Sequence, residues 1–435
     1  MRIPEFIKRN ALLKMTSLNA GVIMVRLVIS FFIERTVSIM LGEAGIYAIS
    51  QLRNVLSSLM SLSTSGVFNG VVKYVAENKE NEESLNKVFS TVMVFTVIGS
   101  LVAGVGLFFW AEYWSVELFD TPDFAYMMKV VAFVVPAIAL QRVFNGVING
   151  LSAYKKFVKI ELFSYLLSSA VLILGLFQYG LDGVLFAISI TPVIQLLTLL
   201  YIFHKVLRKH LHFSKLRFAV PFGKALLAFT LMSFISTILK NFIELDIRIM
   251  IKDNISKDDA AYWSAVTRIS MNYMVFANAI FTLYVIPKFA TITTLSGFKK
   301  EVVHIYKTLL PLFGVGMILV YVFRDYVRLL IYPEFEGMVP LFKWQLIGDF
   351  IRFAALILAY QFLAKRRVVP FVITELLSLG LFYGFSKWLI GDYGAEGVVI
   401  AHMLRYGVYF VVVLIIAFTY FKPPKGEPQE VQTET

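Results

Sequence analysis

Eight arginines stand where an arginine is costly. Arg26, Arg35, Arg53, Arg142, Arg248, Arg268, Arg352 and Arg405 all lie inside long apolar runs. Even a lenient insertion scale puts each mid-membrane guanidinium at about 2.5–3.5 kcal/mol. Six or seven of them facing lipid would cost on the order of 20 kcal/mol, so a wet cavity is expected. A guanidinium keeps its proton when desolvated, and its planar fork matches the oxygens of a phosphate. Six acids share these runs: Glu34, Glu161, Glu244, Asp246, Asp349 and Glu375. Glu34 adjoins Arg35, and Glu244 and Asp246 lie within a turn of Arg248, so several acids read as local partners. The remaining surplus is positive, which suits an anionic, phosphate-bearing substrate. The competing reading is that the arginines pair with acids and helix ends only to hold a bundle together. Lys129, Lys307, Lys343 and Lys387 lie near the ends of their runs and are expected to snorkel to the interface.

The elements that must position these groups follow from composition. Of 435 residues, 58% are hydrophobic and only 16% charged, with a mean hydropathy of +0.74. Soluble domains carry about 45–50% apolar and about 25% charged residues, so the chain reads as an all-α polytopic membrane protein. A span needs about 20 apolar residues, and runs near 12–40, 46–75, 88–110, 124–149, 160–179, 183–203, 220–251, 259–288, 301–322, 338–363, 368–388 and 396–421 give about twelve transmembrane helices. With the N-terminus inside, one set of loops holds 24 Lys/Arg and the other 4, which places both termini in the cytoplasm. Trp110, Trp114, Trp263, Trp344 and Trp388 fall at the outer ends of runs, as interfacial tryptophans do. The net charge of +12 therefore marks the cytoplasmic face and calls for no nucleic acid. The expected domains are an N-terminal six-helix lobe (1–203), a basic cytoplasmic linker (204–219), a C-terminal six-helix lobe (220–421) and a disordered cytoplasmic tail (422–435).

The chain also repeats itself. Glu43-Ala44-Gly45-Ile46-Tyr47 with Arg53 is echoed by Asp258-Asp259-Ala260-Ala261-Tyr262 with Arg268. Asp182-Gly183-Val184 is echoed by Glu396-Gly397-Val398 at nearly the same offset. An offset of six helices suggests two halves of the same orientation around a central cavity. A shorter echo, Val-Phe-Asn-Gly-Val, stands at 67–71 and 143–147. Coupling to inward H⁺ or Na⁺ would need a titratable or coordinating group, and Asp349, Asp246 and Glu34 are the candidates, with ion-pair partner as the plainer role. There is no cysteine, hence no disulfide or thiolate site, and no phosphate-binding G-x-x-x-x-G-K-[ST] of a built-in ATPase. His204, His210 and His212 belong to a basic loop, and His304 and His402 are isolated, so neither a metal nor another cofactor is indicated.

The stretch Gly42-Glu43-Ala44-Gly45-Ile46-Tyr47 followed by Gly66-Val67-Phe68-Asn69-Gly70-Val71-Val72-Lys73-Tyr74-Val75-Ala76-Glu77 resembles the Wzx-type O-antigen and enterobacterial common antigen flippases. The segment with Arg248, Tyr262, Arg268 and Tyr284-Val285-Ile286-Pro287-Lys288 is similar to that group as well. The resemblance implies the fold of the MATE-like MOP exporter superfamily, two six-helix lobes about a central cavity. It further implies alternating-access export of an undecaprenyl-pyrophosphate-linked oligosaccharide across the bacterial inner membrane. Membrane lipids and other membrane proteins of polysaccharide assembly would be its partners. The cationic cavity carries over most directly to Arg26, Arg53, Arg248 and Arg268.

Two other readings compete. A MATE-type drug or metabolite-cation antiporter on the same fold would want an acidic cavity, and the surplus here is positive. A membrane glycosyltransferase or O-antigen polymerase would place its chemistry on a large outer loop. The longest outer loops, 111–123 and 323–338, are short, and Glu112, Glu117, Asp120 and Asp123 read as a solvated acidic loop rather than a catalytic pair. The expectation is a transporter and not an enzyme, with the net outward anion favoured by about 2.3 kcal/mol per charge per 100 mV.

Overall fold

The computed structural model describes residues 11–421, apart from 65, 152, 211–216, 225, 228, 229, 231–233, 366 and 420. The N-terminal decapeptide, the centre of the basic linker and the tail from Lys422, to which the cytoplasmic termini and the disorder were assigned, lie outside the described residues. Thirteen α-helices are described: α1 (Ala11–Leu62), α2 (Phe68–Asn78), α3 (Glu82–Phe109), α4 (Ala111–Phe119), α5 (Ala125–Gly150), α6 (Tyr154–His210), α7 (Lys240–Asn254), α8 (Lys257–Ile280), α9 (Ile286–Thr291), α10 (Leu295–Val322), α11 (Arg324–Ile331), α12 (Leu341–Ala364) and α13 (Val368–Thr419). No strand occurs among the described residues. The chain divides into two compact units, residues 1–249 with 330–334, and residues 250–329 with 335–435.

Five helical stretches are long and apolar enough to cross a membrane on composition alone: Glu82–Phe109, Pro122–Gly150, Lys156–His204, Leu295–Val322 and Val368–Thr419. α1, α7, α8 and α12 are not among them, and these carry six of the eight arginines singled out above. The three longest helices are each double. α1 turns at Gly42 (φ 58°, ψ −159°), α6 at Gly180 (φ 55°, ψ −129°) and α13 at Gly394 (φ 58°, ψ −142°). That backbone region is open essentially to glycine alone, so one residue reverses the chain between two expected spans. Gly180 and Gly394 lie 214 residues apart, the offset that separates Gly183 from Gly397. Gly183 and Gly397 share a second trait. A Cβ on Gly183 would overlap the carbonyl of Gly175, and one on Gly397 the carbonyl of Leu389.

Other boundaries moved. The run expected as one span over 46–75 is broken between Leu62 and Phe68, where Gly66 takes φ 70°. The outer loop 111–123 is mostly the helix α4. Its acids serve local geometry: Asp120 ends α4 in the left-handed conformation with its N–H on the Val116 carbonyl, and Asp123 and Thr121 cap each other. Apolar patterning cannot see either feature, because a short interfacial helix and a glycine break leave the hydropathy unchanged.

Within the first unit, Val67, Val71 and Val75 stack along α2 against Val143, Val147 and Ile148 of α5, with Val88, Val92 and Leu199 around them. The two copies of Val-Phe-Asn-Gly-Val therefore meet in one core. Gly146 and Gly150 of α5 leave the room for this; a Cβ on Gly146 would come within 3.0 Å of Val71 Cγ1, and one on Gly150 within 2.8 Å of Val75 Cβ. Small residues four apart let two helices approach closely in lipid, where burial of apolar surface gives no drive. In the second unit, Phe281, Phe353, Leu358, Phe362, Tyr409 and Val413 form the core, with Phe313 stacked on Phe353 at 4.1 Å.

Gly394→Ala is expected to cost about 1–3 kcal/mol, because an alanine there is forced into a glycine-only conformation. Gly391→Ala, three residues earlier in ordinary helix with open space beside it, is expected to be neutral or slightly stabilising. Thermal unfolding of the two variants in the same detergent checks the contrast; equal midpoints would refute the hinge assignment.

Candidate functional site

In the first unit the candidates fall into separate sets. On α1, Glu34 is 4% exposed and accepts from Ser30 Oγ and from the Tyr332 hydroxyl, both at 3.2 Å. Its neighbour Arg35 donates from Nη1 to the carbonyl of Leu330 at 2.7 Å, and Ser38 donates to the carbonyl of Ile331 at 2.9 Å. Carbonyls in the last turn of a helix have no partner within it, so a guanidinium is a natural cap. The segment 330–332 supplies contacts to both.

Arg26 reaches across to α6, where its Nη1 lies 2.7 Å from Glu161 Oε2 and its guanidinium sits 5.0 Å from the Tyr165 ring centroid. Tyr165 returns its hydroxyl proton to the carbonyl of Arg26 at 3.1 Å. Arg248, 4% exposed, donates to Gln51 Oε1 at 3.0 Å, and Gln51 donates to the Tyr47 hydroxyl at 2.9 Å. One turn and a half further along α1, Ser57 accepts from Asn241 at 2.8 Å. Arg53, on the same helix, and Arg142, on α5, are half-buried; the guanidinium of Arg142 lies 3.8 Å over Phe68. Asp246 is half-buried on α7.

The second unit concentrates its candidates. Asp349 of α12 is completely buried. Its Oδ2 accepts from Ser270 Oγ at 2.5 Å, from the Tyr273 hydroxyl and from Gln345 Nε2 at 3.1 Å. Its Oδ1 lies 3.1 Å from His402 Nε2 and 3.8 Å from Arg352 Nη1. Beyond His402 comes Arg405, whose Nη2 is 3.1 Å from His402 Nδ1 and 3.3 Å from the Tyr406 hydroxyl. Donors from α8, α12 and α13 thus converge on one carboxylate, which suits the ionised form. Arg268 stands half-buried on α8. Among the described residues no group of three His, Cys, Asp or Glu is placed to hold a metal ion.

The structure therefore brings Asp349, Arg352 and Arg405 into one network. Sequence reading missed Gln51, Ser270, Tyr273, Gln345 and His402. The signal was present on α12, where Gln345, Asp349 and Arg352 follow at helical spacing, and on α13, where His402 precedes Arg405 by three. His402 is not the isolated histidine it looked to be.

Comparison with known proteins gives this arrangement a context. A family model described as polysaccharide biosynthesis protein matches residues 12–293. The chain is 26% identical over 407 residues to the lipid III flippase of Escherichia coli (strain K12), a match covering 92% of this chain and 96% of that protein. The lipid III flippase of Shigella flexneri matches to the same extent. Among solved structures, an inward-facing multidrug resistance MATE family transporter of the MOP superfamily superposes with a TM-score of 0.74 at 14% identity, covering 93% of this chain and 98% of the other. The lipid II flippase MurJ in an inward closed conformation gives 0.68 at 15% identity, over 90% and 87% of the chains. The fold is the all-α polytopic fold of these membrane transporters.

Asp349→Asn is expected to destabilise the protein by at least about 2 kcal/mol, because the amide turns a donor toward donors and leaves Arg352 without its carboxylate. Asp246→Asn, at a half-buried position, is expected to stay within about 1 kcal/mol of the parent. Midpoints of thermal unfolding in detergent check both.

Proposed function

Because the chain belongs to the polysaccharide biosynthesis protein family, we propose that it is a flippase for an undecaprenyl-pyrophosphate-linked oligosaccharide. It takes the lipid from the cytoplasmic leaflet of the bacterial inner membrane to the periplasmic leaflet. The observation that carries the reading is the near end-to-end sequence match to lipid III flippases. The spans lie with both termini in the cytoplasm, as the distribution of basic residues supports.

The work is transport and involves no covalent step. The guanidiniums of Arg26, Arg53, Arg248 and Arg268, with Arg35, Arg142, Arg352 and Arg405 in support, hold the pyrophosphate. They suit it because they remain charged out of water and bind two oxygens at once. Two solved structures of the fold are an inward-facing and an outward-facing conformation of a MATE family transporter, and this chain alternates access in the same manner. An interior-negative potential pulls a doubly charged head group outward with about 2.3 kcal/mol per charge per 100 mV. Asp349 is the first candidate for coupling to an ion gradient; Asp246 and Glu34 follow.

Proteoliposomes with an imposed potential test the reading. The parent protein is expected to move a fluorescent undecaprenyl-pyrophosphate oligosaccharide. Arg53→Ala and Arg268→Ala, if folded, are each expected to slow it at least tenfold, since a charge-assisted hydrogen bond contributes about 1.5–3 kcal/mol. A parent that leaves the lipid in place but moves a cationic dye would sink the proposal and favour a drug antiporter.

A further inference from the structure

His402 is built into the fold with unusual closeness. Its ring lies against Gly348 of α12, where a Cβ would come within 2.5 Å of His402 Cδ2, so the missing side chain is the seat of the imidazole. The ring packs edge-on to Phe382 and Tyr406 and is 6% exposed. The charged and titratable groups facing it are Asp349 and Arg352 from α12, Tyr273 of α8 through Asp349, and Arg405 and Tyr406 from its own helix. The first half of α13 presents Phe382, which carries no proton.

Hydrogen-bond chemistry fixes the state of this ring. A guanidinium donates and never accepts, and it does not give up its proton in a protein. Nδ1, at 3.1 Å from Arg405 Nη2, must therefore be the acceptor. The single ring proton sits on Nε2 and is donated to Asp349 Oδ1 at 3.1 Å. His402 is neutral in one defined tautomer. A second proton could go only to Nδ1, where it would oppose an N–H of Arg405 and set two cations in contact. Protonation of His402 and retention of Arg405 exclude each other.

Arg405 is poorly held in return. It is 4% exposed, its Nε has no partner among the described residues, and no carboxylate among them lies within ion-pair distance. Besides His402 it has the Tyr406 hydroxyl and the faces of Phe382 at 3.9 Å and Tyr406 at 4.4 Å. Asp349, by contrast, has donors on both oxygens. A buried cation held only by neutral acceptors and two rings gains most when an anion reaches it.

We propose that His402 is a proton-gated positioning residue: while neutral it holds Arg405 back, and as Arg405 engages a phosphate of the ligand, Nδ1 takes up one proton. This deepens the flippase reading and rests on it for the identity of the anion. Linkage sets the sign. A proton taken up on binding makes affinity for the anion rise as pH falls, by at most tenfold per pH unit for one proton. The phosphates of the ligand lose charge over the same direction of pH, so the effect is read as the difference between parent and variant.

The experiment uses the full chain in lipid nanodiscs with ¹⁵N-labelled histidine, the His402 signal being assigned as the one lost in His402→Gln. Without ligand, His402 is expected to show the neutral tautomer protonated on Nε2. In Arg405→Gln it is expected to protonate at least one pH unit higher. Undecaprenyl pyrophosphate added to the parent is expected to convert the signal to imidazolium. Its affinity is expected to gain several-fold more from pH 7.5 to 6.0 in the parent than in His402→Gln. A tautomer protonated on Nδ1, or a titration unmoved in Arg405→Gln, overturns the proposal whatever the protein transports. An expected Arg405→Gln shift with no response to the lipid overturns the link to the ligand; if the parent nevertheless binds and transports that lipid, the flippase reading survives its loss.

Discussion

A guanidinium cannot shed its proton, and the interior of a bilayer cannot hydrate it. Every arginine placed inside a span must therefore find its partners within the protein, and much of this structure answers that demand. The answers differ in kind. Arg26 and Arg352 have carboxylates, at 2.7 and 3.8 Å. Arg35 donates to the backbone carbonyl of Leu330. Arg248 donates to the carboxamide of Gln51 and has Glu244 one turn away on its own helix. Arg142 lies on an aromatic face, and Arg405 is held between a histidine and two rings. A carboxylate neutralises the charge it binds, whereas a ring, an imidazole or a carbonyl leaves it largely intact. The choice of partner thus decides how much positive potential remains for an anion.

The partners must be brought to the arginines, and in lipid the hydrophobic effect does not do so. Close approach of backbones substitutes for it. Gly146 and Gly150 admit Val71 and Val75, Gly183 faces Gly175, and Gly348 receives the imidazole of His402. Three further glycines at φ near 55–58° fold α1, α6 and α13 back as hairpins. The hinge at Gly394 precedes His402 and Arg405 by eight and eleven residues, so the helix that carries the latch begins at a fixed turn. Packing and polar chemistry are one design here: the small residues that let helices meet are also what set donor on acceptor.

Hydropathy and charge made the helical membrane class legible at once, because both are sums over long windows. The Val-Phe-Asn-Gly-Val echo was legible as a repeat, though not as a contact, since nothing in a sequence says that its two copies meet. The break at 63–67 and the helix α4 were not legible, for neither alters the average polarity of its surroundings. His402 was missed for a different reason. A histidine reads as isolated when its partners are counted along the chain, and Asp349 is 53 residues away. The pairing of Arg352 with Asp349 was missed as well, although the two stand three residues apart on one helix face.

The distinction between partners bears on how such a protein could both bind and release a polyanion. A cavity of fully exposed guanidiniums would hold pyrophosphate well and give it up slowly, whereas one of fully neutralised guanidiniums would not hold it. Transport needs a charge that can be lent and withdrawn. Carboxylate partners do this badly, because removing an arginine from a buried carboxylate leaves that charge uncompensated at about 3–5 kcal/mol. A neutral imidazole acceptor does it well. When Arg405 leaves, His402 can take a proton, and its Nε2–H still faces the carboxylate of Asp349, so no polar group in that network is stranded. The same position filled by a glutamate would bind Arg405 more tightly and lend it less readily. The advantage of histidine there is that its loss of a cation can be made good by a proton, which is a small, mobile ligand present on both sides of the membrane.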